Sequence, residues 1–168
     1  VISDLPALND FVAKLNSASI ISVDTETTGI DPNSAKLIGI SISIKEGEGY
    51  YIPLQHQTSN AQLLISEVIQ AITPSLTNPK IKKIGHNICY DYTMLKRHGL
   101  TISPISFDTM IAEFITDPSS RNLGLKNLAF IRLGLEMTEI KELIGTGKKQ
   151  ITFDQVPLEP AAAYAVAD

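Results

Sequence analysis

Asp24 and Glu26 stand one residue apart in IISVDTETTG, directly after the apolar run Ile20–Val23. On a strand that spacing puts both carboxylates on one face. Neighbouring ionised carboxylates repel and raise each other's pKa. At the end of a buried strand they are unfavourable unless a cation pairs with them. Hard oxygen donors of this kind suit a divalent ion such as Mg²⁺ or Mn²⁺. A plainer reading stands beside it: Asp24 caps a turn at Thr25, and Glu26 is solvated. DTETTG also resembles the opening of an EF-hand loop. The twelfth position of that loop is Ala35 where a bidentate Glu is needed, and the preceding flank is strand-like, so the EF-hand reading is rejected.

Two later stretches add acids. In GHNICYDYTML, residues 85–95, Asn87 reads as a helix N-cap and Asp91 lies four residues on, on the same helix face. Asp91 alone reads more often as a helix-start charge facing the positive end of the dipole than as a ligand. In EPAAAYAVAD, Pro160 fits a helix start, the alanines leave one face slim, and Tyr164 and Asp168 share a face at i and i+4.

Elements must bring these three stretches together. Periodicity predicts helices over 5–16, 60–72 (Asn60 as N-cap, Pro74 just past the end), from Asn87 to His98, and over 109–116, 124–133 and 159–168. Strands are predicted at Ile20–Val23, at Lys36–Ile44 with period two, at Gly49–Leu54 after the turn KEGEG, and at Ile81–Ile84. A hairpin-linked set followed by alternating strand and helix predicts one α/β domain over 1–168 with a mixed sheet. The 168 residues suffice for a sizeable core, and 43% are hydrophobic, which excludes a disordered chain. No apolar run reaches the ~20 residues of a membrane span, so no membrane partner is expected. One cysteine, Cys89, excludes an internal disulfide, fits a reducing cytosol, and reads as a buried packing residue. The net charge of −4 argues weakly against nucleic acid, although bound metal ions would change the sign of a site.

D-x-E on a first strand, N-x-x-x-D at a helix start and Y-x-x-x-D on a late helix resemble the three exonuclease motifs of the DEDD superfamily in its tyrosine form. FDTM at 107–110, GTGKKQITF at 145–153 and the closing YAVAD are similar to the proofreading domain of bacterial family-A DNA polymerases. The resemblance covers the whole chain and its order of motifs. It implies a ribonuclease-H-like fold, a five-stranded mixed sheet flanked by helices. It implies metal ligands at Asp24, Glu26, Asp91 and Asp168, a catalytic tyrosine at Tyr164, and substrate contacts at Thr25, Ile30, His86, Asn87 and Ile140. His86 stands where relatives often carry Gln, and Ile140 where a wedge-like Phe can stand.

The implied chemistry uses two divalent metals, Mg²⁺ or Mn²⁺, roughly 3.5–4 Å apart. Asp24 would bridge both. Glu26 and Asp168 would serve the metal that binds the attacking water, and Asp91 the other, largely through waters. Tyr164 would orient the water or help deprotonate it. The implied partners are a single-stranded or frayed DNA 3′ end and a polymerase domain in the same longer chain, since the family continues past the position of Asp168. The implied setting is a bacterial cytoplasm at the nucleoid, with the isolated domain monomeric.

Other residues read more plainly. His56, His86 and His98 are scattered, and residues 161–163 are alanines, which disfavours a histidine base. Asp108 reads as an N-cap for the next helix. GTGKKQ is no Walker A loop, because Glu142 and Lys149 replace the first Gly and the Ser/Thr. Its lysines, with Lys80, Lys82, Lys83, Lys96 and Arg97, are expected either at phosphates or in solvent. Two alternatives to the DNA exonuclease remain: an RNA 3′-end exonuclease similar to ribonuclease D, and a non-catalytic structural module, which the presence of all four acids disfavours.

Overall fold

The computed structural model describes residues 1–58, 60 and 63–168. The chain forms α1 (Leu5–Asn16), β1 (Ile20–Thr27), β2 (Leu37–Lys45), β3 (Glu48–Pro53), α2 (Ile65–Leu76), β4 (Lys82–Gly85) and α3 (Ile88–Arg97). After these come β5 (Ile105–Asp108), α4 (Thr109–Thr116), α5 (Leu125–Leu128), α6 (Ile140–Ile144) and α7 (Leu158–Ala167). The five strands form one sheet in the order β3-β2-β1-β4-β5. β1 is antiparallel to β2 and parallel to β4, β2 is antiparallel to β3, and β4 is parallel to β5. The mixed five-stranded sheet of the ribonuclease-H-like expectation is therefore present.

Each sheet face has its own core. One joins Leu8, Phe11 and Leu15 of α1, Val68, Ile72 and Leu76 of α2, and Ile88, Met94 and Leu95 of α3 to Ile21 and Val23 of β1. The other lies under α7 and joins Ile38, Tyr51, Phe153, Val156, Ala161, Ala162 and Ala165. Small residues let α7 sit close to the sheet. A Cβ at Gly49 would stand 2.6 Å from Val166 Cβ, so a larger residue there lifts the helix or shifts β3.

Several sequence expectations change. β1 extends to Thr27 and carries both acids within the strand. The period-two pattern across Lys36–Ile44 puts Ile38, Ile40 and Ile42 on one face. A bulge opposite Glu26 and Thr27 breaks it, and Ile38 joins the α7 core while Ile40 and Ile42 join the other. Strand β5 alternates as Ile-Ser-Phe-Asp but is only four residues long and leaves Ile105 and Phe107 exposed, and the strand prediction missed it. The helix expected from Asn60 begins at Ile65 with Leu64 as N-cap; residues 61 and 62 of that expectation lie outside the described residues. Pro74 lies inside α2, in its last turn, and not beyond it. The helix expected over 124–133 is four α-helical residues followed by a π-turn at Ala129–Leu133. Cys89 is exposed on α3, because α3 buries Ile88, Asp91, Met94 and Leu95 instead.

Candidate active site

The acids arrive from both layers. Asp24 pairs with Ser41 and Glu26 with Gly39 across the ladder, so both carboxylates rise from β1 toward α7. Thr25 points to the opposite face, where α3 presents Asp91. Asp91 Oδ1 accepts the Thr25 N–H at 2.8 Å and the Thr25 hydroxyl at 2.6 Å. Asp91 is 2% exposed. α7 supplies Tyr164 and Asp168 one turn apart at its end.

The site is short of positive charge. Burial, then Asp91, Glu26 and Asp168, holds the Asp24 carboxyl well above the usual carboxylate range. Burial, then Asp168, pushes Glu26 up to about 8, with Lys126 pulling the other way. Burial pushes Asp91 up to about 7 against the opposing Thr25 hydrogen bonds. Glu26 Oε1 is buried with no hydrogen-bond partner. Among the described residues, no three His, Cys, Asp or Glu side chains already converge as a metal cage. The donor set nevertheless fits divalent cations: it consists of hard carboxylate oxygens, one an orphaned buried acceptor, with Asp24, Glu26 and Asp91 raised by burial and by neighbouring carboxylates.

Lys126 supplies the positive charge present. Its Nζ lies 2.6 Å from Asp168 Oδ1 and 4.1 Å from the centre of the Tyr164 ring. Burial, then Asp168 and Glu26, holds the Tyr164 hydroxyl above the ordinary phenol range.

A cleft of about 620 Å³ opens beside the acids, lined by Thr25, Glu26, Ile30, Ile140, Phe153 and Tyr164 among others. It thus brings together five of the residues expected at the site. Ile30 is 97% exposed on its rim. Sequence reasoning missed the two residues that fix the loop carrying Ile30. Tyr90 donates to Gly29 O at 2.5 Å and contacts the Thr27 hydroxyl. Arg97 Nη1 donates to Pro32 O at 2.6 Å and Ala35 O at 2.9 Å. Arg97 is therefore a loop brace. Lys83 is likewise fully buried, donating to the Asn78 and Ile81 carbonyls, and so is unavailable to phosphates.

Asn87 is at the N-cap position, but its side chain makes no capping bond, and its backbone is left-handed with φ 54°. Asp108 takes over that task. Its Oδ1 accepts the Asn87 N–H at 3.1 Å and its Oδ2 the Ile88 N–H at 2.9 Å, while Oδ1 also caps α4 through Met110 and Ile111. The expected N-cap of one helix thus holds the start of two. The signal was present, since FDTM ends a strand parallel to β4, but the second partner is 20 residues away in sequence. His86 Nδ1 lies 2.8 Å from Thr109 Oγ1, and burial pushes its pKa down.

A family model described as 3′–5′ exonuclease matches residues 1–168. DNA polymerase I of Chloroflexus aurantiacus is 42% identical over 170 residues, covering 100% of this chain and 18% of that protein. DNA polymerase I of Pseudomonas aeruginosa is 34% identical over 172 residues, covering 100% of this chain and 19% of that protein. The chain thus spans about a fifth of these curated relatives. Among solved structures, Escherichia coli RNase D superposes with a TM-score of 0.68 at 21% identity, over 99% of this chain and 40% of that one. Brucella melitensis NrnC with bound Mg²⁺ superposes with a TM-score of 0.65 at 22% identity, over 90% and 67%. These structural likenesses speak to the fold. No helix among the described residues is long and apolar enough to cross a membrane.

Proposed function

The chain belongs to this 3′–5′ exonuclease family, a family of hydrolytic nucleases, and from that premise we propose that it trims DNA 3′ ends as the proofreading domain of a longer family-A polymerase. The product is a nucleoside 5′-monophosphate. The observation that carries the reading is the meeting of Asp168 and Tyr164 on α7 with Asp24 and Glu26 on β1, beside an open cleft. A bacterial cytoplasm, near the nucleoid, is the setting this reading implies.

Two divalent ions, Mg²⁺ or Mn²⁺, held by Asp24, Glu26, Asp91 and Asp168 would supply an activated water and neutralise charge growing on the phosphate and the leaving 3′ oxygen. The Mg²⁺ in the NrnC structure supports the choice of a hard divalent ion. Asp24, which feels Asp91, Glu26 and Asp168 together, is the carboxylate best placed to be shared. Thr25 keeps Asp91 oriented and favours its ionised form. The Tyr164 hydroxyl keeps its proton throughout the working pH range, so it orients the attacking water by a hydrogen bond and does not take its proton. Ile30 and Ile140, on the cleft wall, flank the terminal base. Asn87 and His86, at the start of α3, reach the strand backbone.

Single-stranded DNA and RNA labelled at the 3′ or 5′ end, incubated with Mg²⁺ or Mn²⁺, test the proposal. The expected result is monophosphate release from the 3′ end, faster on DNA than on RNA. Faster release from RNA would select the ribonuclease-like alternative. Asp24→Ala should abolish cleavage and weaken Mn²⁺ binding in calorimetry. An Asp24→Ala protein that cleaves and binds Mn²⁺ like the parent overturns the metal assignment.

A further inference from the structure

Of the ion pairs Lys45–Glu48, Arg132–Glu113 and Lys126–Asp168, the last is the one with both side chains largely buried, at 17% and 14% exposure. Its ammonium also lies over the face of Tyr164, where the ring quadrupole attracts a cation. The charge reaches further, lowering the pKa of Asp24 and of Glu26 against the prevailing upward pull. Lys126 therefore touches both functional residues of α7 and acts on both acids of β1. It stands in the second position of the short α5, anchored behind by Leu128 and Ala129, which are buried.

We infer that Lys126 is the site's own counter-cation: it holds Asp168 and Tyr164 in the metal-free protein and leaves when a divalent ion binds, so it sets the metal concentration at which the site loads. The inference rests on the metal reading proposed above. Asp168 Oδ1 is 2.6 Å from the ammonium. An Mg²⁺ ion needs its oxygen ligands at about 2.0–2.1 Å. A second cation at that oxygen meets the ammonium at short range, where repulsion in a partly buried site is strong. The lysine stem is flexible, with a four-carbon chain and rotatable donors, so the head group can withdraw without moving α5. A contact present in the metal-free state and absent from the loaded one lowers metal affinity by its own worth. Metal loading and the release of Lys126 are therefore one exchange.

Mn²⁺ titration by calorimetry, with melting curves in EDTA and in saturating Mn²⁺, tests this without reference to cleavage. Lys126→Met keeps the apolar stem and removes the charge. It should bind Mn²⁺ on the order of 10-fold more tightly, the factor that corresponds to ~1.4 kcal/mol. It should melt lower than the parent in EDTA and equally in saturating Mn²⁺. Lys126→Arg should stay near the parent. In an Asp168→Asn background, Lys126→Met should change Mn²⁺ affinity by clearly less than it does in the parent, because the ion pair is already gone and only the longer-range effect on Asp24 and Glu26 remains. If Lys126→Met does not fold in EDTA, Lys126→Gln carries the same comparison. Unchanged or weaker Mn²⁺ binding by the Lys126 variants, with the parent still binding, overturns the counter-cation role alone. A parent protein that binds no Mn²⁺ overturns the metal reading itself.

Discussion

Asp91 Oδ1 accepts both the backbone N–H and the side-chain hydroxyl of Thr25, the residue between the two acids of β1. One residue of spacing thus does two things. It aims Asp24 and Glu26 at α7 and gives the residue between them to Asp91, which comes from the other layer. Thr25→Val keeps shape and N–H but removes the hydroxyl donor. Losing a hydrogen bond to a charged group costs about 1.5–3 kcal/mol. Cleavage should fall roughly 10-fold to 100-fold, as for groups that orient metal ligands. Single-turnover rates at saturating Mg²⁺ check this, and a Thr25→Val protein with parental rate and stability would show that the N–H alone suffices.

Asp108 joins the starts of α3 and α4. Asp108→Ala should lose on the order of 2–4 kcal/mol, two caps at once. Urea unfolding measures the loss. A change under about 0.5 kcal/mol, typical of an ordinary surface site, would sink the double-cap account.

Tyr164→Phe should retain fold and metal binding, since ring volume is kept, and lose about 10-fold to 10³-fold in rate, because the hydroxyl that orients the attacking water is gone. His86→Ala should change chiefly substrate affinity, because His86 is bonded to Thr109 and held neutral by burial. A fully active Tyr164→Phe beside an inactive His86→Ala would reverse these roles.

The stability of the metal-free domain should fall as pH rises. Glu26 has a folded pKa of about 8 against 4.5, and Asp91 about 7 against 3.8. Between the unfolded and folded values the native protein holds more protons than the unfolded chain, so stability decreases with pH. The contribution is complete below the unfolded values and gone once pH passes about 8. Melting in EDTA from about pH 5 to about pH 9 reads it, and saturating Mg²⁺ should remove the slope by replacing the protons. A flat profile in EDTA would contradict the crowded-carboxylate electrostatics.

Mismatched or frayed 3′ ends should be shortened faster than fully paired ones. Unpairing requires free energy, least at a mismatch, and under the proposed function it is the cleft beside the acids that would take an unstacked end. Equal rates on paired and mismatched primers, measured on one labelled duplex series, would remove the proofreading role.

The sequence by itself determined the residue types, their spacings and their order. D-x-E on a strand, N-x-x-x-D at a helix start and Y-x-x-x-D on a helix rest on periods of 2.0 and 3.6, which are local properties of the backbone. The N-cap of α4 was legible for the same reason. Tertiary structure decided what periodicity cannot carry. The bulge opposite Glu26 sends Ile38 to the other core, because a ladder shift belongs to two strands and not to one. Asp108 caps a helix that begins 20 residues before it, and Arg97 braces a loop more than 60 residues away. Lys126 was an undistinguished lysine in LGLKNLAF until α5 and α7 met, when long-range packing placed its ammonium against Asp168. Partner identity at such distances is set by how the layers stack, and no local spacing encodes it.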